Sequence, residues 1–91
     1  MNTPLFRLGV IQVTPAAQDY AIANGIDLLQ ILTRHEVGDA GDMDLSDKLA
    51  NLDALLQGGR IFSSFNFGSG KVWIITEASR HHTTILLPSD Y

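Results

Sequence analysis

The sequence predicts one α+β domain over residues 1–91. Three N-terminal and central helices pack on an antiparallel C-terminal β-meander, with a short N-terminal strand at the sheet edge. Three observations carry this reading. Leu45, Leu49, Leu52 and Leu56 recur at helical spacing, with Leu55 beside them. Past Gly58-Gly59 the chain changes character: "RIFSSFNF", "KVWIITE" and "TTILLP" are short runs rich in aromatic and β-branched residues. Between the first two of these stands Gly68-Ser69-Gly70, a three-residue loop suited to a hairpin.

Taken in order, Leu8 to Val13 reads as a strand by its β-branched content. Thr14-Pro15 then opens a helix: Thr14 is the N-cap, and Pro15 stands at N1, where its missing N–H costs nothing. "AAQDYAIAN" follows and ends at Gly25, a natural left-handed residue after a helix. Asp27 caps a second helix, with Ile26 and Ile31 placed as a hydrophobic staple, and "LLQILTRHE" runs on toward Gly38. "GDAGDMD" is a loop by composition. Asp44 and Asp47 have capping-box spacing at the start of the leucine-striped helix, which Gly58-Gly59 ends. In the C-terminal third, "KVWIITE" is apolar on both faces at its centre, as a middle strand is, and Pro88 stops the last strand.

Composition bounds the function. Ninety-one residues, 45% of them hydrophobic, make one modest core. No apolar run reaches the roughly 18 residues of a membrane span, and "MNTPLFRLGVIQV" lacks the basic start and long apolar stretch of a secretory signal. The expected location is the cytoplasm. The absence of cysteine removes disulfides, thiolate catalysis and Cys-based zinc sites together. Ten acids against six Lys and Arg give a formal charge of −4, which disfavours a broad phosphate-binding face; nucleic acid is not the expected partner. The acids crowd the middle of the chain, from Glu36 to Asp53, while Arg60, Lys71, Arg80, His81 and His82 lie in the last third.

The ends of these segments carry a resemblance. "GGRIFSSF" and "VWIITEASRHHTTILLPSDY" resemble the ending of a family of small proteins carried on bacterial plasmids and genomic islands. That ending reads G-G-R-L-L-S-x-Y, then W-[IV]-I-T-E-A-D-R-S-x-T-T-[IV]-L-L-P-E-E-Y. "LLQILTRHEVGDAGD" is similar to the family's L-L-x-R-H-x-x-G-D-W-G-D. The likeness spans most of the chain. Departures are Ser79 in place of Asp, His81-His82 in place of Ser and a variable residue, and Ala40 in place of Trp. Some members are labelled plasmid-related proteins or type I restriction modification subunits. The chain has neither a cofactor-binding α/β domain nor the N-P-P-[FY] motif that a methyltransferase needs. The resemblance implies a cytoplasmic bacterial accessory protein on mobile DNA, and it transfers no catalytic residue.

Four constellations could carry chemistry. Asp39, Asp42, Asp44 and Asp47 could present oxygens to a hard cation. Counted from Asp39 as an EF-hand loop, however, position six is Asp44 and position twelve is Ala50, so that motif fails. Helix capping and a solvated loop explain the same acids, and no metal is expected. "RHEVGD" has Asp39 where a second zinc-binding His would stand, which leaves His35 a structural role near a helix C-terminus, where a partly cationic ring meets the dipole favourably. Glu77, Arg80, His81 and His82 cluster at a hairpin end and could serve a small RNA- or DNA-cleaving enzyme, with His as general base. The competing reading is a polar turn in which Glu77 pairs with Arg80. Phe62, Phe65, Phe67 and Trp73 could stack bases, but a core this small needs them.

The reading reached is a non-enzymatic binding module without cofactor, docking on a protein partner. Its expected surfaces are the acidic loop, with Asp39, Asp42, Asp44 and Asp47, and the hairpin end, with Glu77, Arg80 and His82. An exposed edge strand would also permit a homodimer by sheet extension.

Overall fold

A computed structural model describes residues 3–91. The chain forms β1 (Val10–Val13), α1 (Pro15–Asn24), α2 (Leu28–Glu36), α3 (Leu45–Gln57), β2 (Ile61–Phe67), β3 (Gly70–Thr76) and β4 (His82–Leu86), followed by a single 3-10 turn at Pro88–Asp90. The sheet order is β1-β4-β3-β2. β2, β3 and β4 form the expected antiparallel meander. β1 takes the edge, as expected, and runs parallel to β4. Among the described residues, no helix is long and apolar enough to cross a membrane.

Local chemistry sets the boundaries. Thr14 Oγ1 accepts the Ala17 N–H at 3.1 Å and Asp27 Oδ1 the Leu29 N–H at 3.1 Å, so both expected caps form. Asp44 Oδ1 accepts from Asp47 N at 2.9 Å at the head of α3. The β2–β3 connection is tighter than the sequence suggests. Phe67 pairs with Gly70, which leaves only Gly68 and Ser69 in the loop. Gly68 has φ +62° and Ser69 is not positive, the backbone of a type II′ turn.

Strand alternation sorts the side chains into two faces. Phe65, Val72, Ile74 and Ile85 point to one face and join Ala17, Ile31 and Leu32 of α1 and α2 in the core. The small Ala17 and Ala21 bring α1 close to the sheet. Tyr20 then reaches across to donate to the Phe67 carbonyl at 2.8 Å. It fits because position 70 is glycine: a Cβ there would stand 2.2 Å from the Tyr20 Oη.

α3 departs from the expectation. The sequence reading set all three helices over one face; α1 and α2 are there, but α3 runs along the outer edge of β2. It turns Asn51 inward, with Ala54 and Leu55 half-buried, and leaves the leucine stripe exposed. The edge of β2 is consumed by this arrangement. Phe62 N donates to Asn51 Oδ1 (2.6 Å), Ser64 N to the Ala40 carbonyl (3.0 Å) and Asn66 N to Asp42 Oδ2 (2.8 Å). Asp42 N donates to the Ser64 carbonyl at 2.7 Å. A helix and a loop thus cover one sheet edge, a recognised defence against edge-to-edge pairing.

Candidate functional site

The acidic residues of the sequence reading prove to be occupied within the chain. Asp39 accepts from Arg34 Nε (2.8 Å) and Gly41 N (2.8 Å). Burial works against its charge, but these two bonds and attraction from Arg34 and Lys48 hold its pKa below the usual carboxylate value. Asp42 holds the edge of β2 and Asp44 caps α3, each through one oxygen. Asp47 is exposed on the first turn of α3. Among the described residues, no group of three or more His, Cys, Asp or Glu is placed to hold a metal ion.

The hairpin end is a clamp. Arg80 sits at φ +64°, a left-handed backbone, and its Nη1 donates to the carbonyls of Gly59 (2.6 Å) and Glu77 (3.0 Å). It thereby ties the β3–β4 turn to the start of β2. The expected Glu77–Arg80 pair is not made. The Glu77 carboxylate faces Arg60 Nε instead, at 3.4 Å. Arg80 and His81 line a shallow hollow with Arg7, between the approach to β1 and the turn; Glu77 and His82 are not on its walls. His82 is exposed at the first position of β4. The four residues that a cleaving enzyme would use are therefore not gathered around one point.

His35 is wholly buried and belongs to a chain of hydrogen bonds that the sequence reading did not anticipate. Thr83 Oγ1 donates to the Leu8 carbonyl at 2.7 Å. Having one hydrogen, Thr83 must accept from Thr76 Oγ1 at 2.7 Å, and Thr76 in turn must accept from His35 Nε2 at 2.8 Å. The ring thus donates from Nε2; when it is neutral, Nδ1 accepts the one hydrogen of Ser63 Oγ at 2.6 Å, which then does not go to the Asp39 carbonyl 3.2 Å away. Burial lowers the His35 pKa to about 4, so the ring is neutral at pH 7. That replaces the helix-dipole role expected of it, which requires a cation. The signal was present in the pattern. Ser63, Thr76 and Thr83 share strand parity with core residues, and His35 lies four positions from Ile31, so each polar group needed a partner among the others.

The second face of the sheet carries an aromatic cluster that is partly open to solvent. Phe62 and Trp73 meet edge-to-face at 4.9 Å between centroids, and Trp73 meets Tyr91 at 5.8 Å. Both Phe62 and Trp73 are half-buried, whereas Phe65 is core. Between them and α3 lies a cleft of about 420 Å³, lined also by Met43, Asp47, Ala50, Asn51 and Arg60. A smaller hollow of about 230 Å³ shares Met43, Asp47, Phe62 and Trp73 and adds Asp42, Asp44 and Lys71. The cleft has two polar ends. At one, Arg60 donates to Tyr91 Oη (3.2 Å) and faces Glu77. At the other stand three aspartates. Asp47 thus lines the cleft, Asp42 and Asp44 line the hollow that adjoins it, and Glu77 meets its Arg60, while Asp39, Arg80 and His82 line neither.

No family model matches the chain, and no curated protein and no solved structure is significantly similar to it.

Proposed function

We propose that this chain is a non-enzymatic binding module that docks on another protein through the cleft between α3 and the second sheet face. The observation that carries the reading is the half-buried Phe62–Trp73 pair, open to solvent between an acidic end and the Arg60–Tyr91 end. A flat aromatic floor with convergent polar groups at its margins favours a protruding apolar side chain flanked by a basic residue. The volume suits one or two side chains of a partner. The resemblance to small plasmid and genomic-island proteins supplies the setting: a cytoplasmic bacterial accessory protein of a mobile element.

Affinity capture from bacterial lysate, with and without nuclease, tests this. The tagged chain is expected to recover a stoichiometric protein that survives nuclease. Ala50→Arg, which places a long cation in the cleft from an exposed helical position, is expected to lose it. Nucleic acid recovered alone, or a partner retained in full by Ala50→Arg, would overturn the reading.

A further inference from the structure

The leucine face of α3 is separate from the cleft; Leu52 at its margin also borders a hollow with Ala40 and Ile61. Leu45, Leu49, Leu52 and Leu56 are 72%, 57%, 51% and 73% exposed. Their spacing of four, three and four residues is that of a coiled-coil seam, with Leu45 and Leu52 at d and Leu49 and Leu56 at a. In this register Lys48 falls at g and Asp53 at e, on opposite margins of the seam.

We infer that this face is covered by the α3 of a second copy of the chain, in parallel. The charges decide the occupant and its direction. In a parallel pair each g residue faces the e residue five positions on in the other helix, so Lys48 of one copy meets Asp53 of the other, twice by symmetry. In an antiparallel pair g faces g and e faces e, and neither charge gains a partner. Among the described residues Lys48 makes no ion pair; it attracts Asp39 from a distance, and Asp39 is already bonded to Arg34. Specific interfaces start at about 1,000 Å² of total buried surface. Two facing helices of 13 residues reach no further than that lower end, so the dimer is weak and concentration-dependent.

Sedimentation of the full chain from micromolar to millimolar concentration tests the inference. The expected result is a monomer–dimer equilibrium weakened at least tenfold by Leu52→Glu and by Leu49→Gln, with melting temperatures little changed at micromolar concentration, where the chain is monomeric and both leucines are more than half exposed. Lys48→Glu and Asp53→Lys should each weaken it several-fold, and the two together should restore it. A monomer throughout would overturn the inference. So would a dimer that survives both leucine substitutions, which would point to the β1 edge instead, or a double swap that fails to restore association.

Discussion

His35 shows how one buried imidazole can tie together segments that the chain keeps far apart. Its ring links the end of α2 to β2 through Ser63 and to β3 through Thr76, and Thr76 passes the link to Thr83 and the Leu8 carbonyl. A neutral ring with its proton on Nε2 fits this order of donors when Ser63 gives its one hydrogen to Nδ1 rather than to the Asp39 carbonyl. In the unfolded chain the ring titrates near its ordinary 6.5, and in the fold near 4. As pH falls through that window, the unfolded state binds a proton that the folded state refuses. Stability from this group is therefore intact above pH 6.5 and reduced by on the order of 3 kcal/mol by pH 4. Urea denaturation followed by circular dichroism should show this loss, and His35→Ala should lack it. The same variant should be about 3 kcal/mol less stable at pH 7, through its cavity and two lost hydrogen bonds. An identical pH slope in both proteins would show that the ring is not held neutral.

Among the elements, α3 separates what periodicity reveals from what it leaves open. The leucine spacing and the Asp44 cap identified the helix correctly. They did not say which side meets the sheet, because an apolar stripe marks a face that wants burial without naming its partner. Here the sheet takes the side bearing Asn51, whose carbonyl oxygen caps the Phe62 N–H. An Asn opposite a leucine stripe was the available clue. The strands were more legible, since aromatic and β-branched runs bounded by glycine leave few alternatives, though Gly9 at φ +67° starts β1 two residues later than expected. The edge cover itself can be tested. Asn51→Leu leaves the Phe62 donor unpaired and should cost about 1–3 kcal/mol. Gly41→Ala should cost about 1–3 kcal/mol as well, because the residue is at φ +79° and a Cβ would stand 2.3 Å from the Ser64 carbonyl oxygen. Both losses would appear in thermal melts, accompanied by light scattering as the β2 edge becomes free to pair. Unchanged melts would mean that the loop and α3 do not guard this edge.

Over the whole molecule, the two polar clusters read from the sequence have divided roles. Asp39, Asp42, Asp44 and Arg80 hold loops, caps and edges in place, so replacing them tests the fold before it tests any contact. The Asp44 cap is local and was legible, but the roles of Asp42 and Arg80 were not, because their partners, the Asn66 amide and the Gly59 carbonyl, lie in distant segments. The cleft was illegible for a related reason. Trp73 and Phe62 share one face only through the β2–β3 register, and α3 became a wall only by leaving the core face. The arrangement keeps the two surfaces of α3 compatible: the side with Asp47 and Ala50 borders the cleft, and the leucines face away. A dimer joined by the leucines would present two clefts, which would raise avidity for a partner with two matching segments.

Trp73 is the chain's one tryptophan, so its emission in the free chain, and in the complex after subtraction of the partner's own signal, reports on the cleft. Acrylamide quenching before and after addition of the captured partner is the most direct measurement. Ready quenching in the free chain and clear shielding in the complex are the expected results. A partner that binds while leaving Trp73 equally open to acrylamide would contradict the cleft as the docking site.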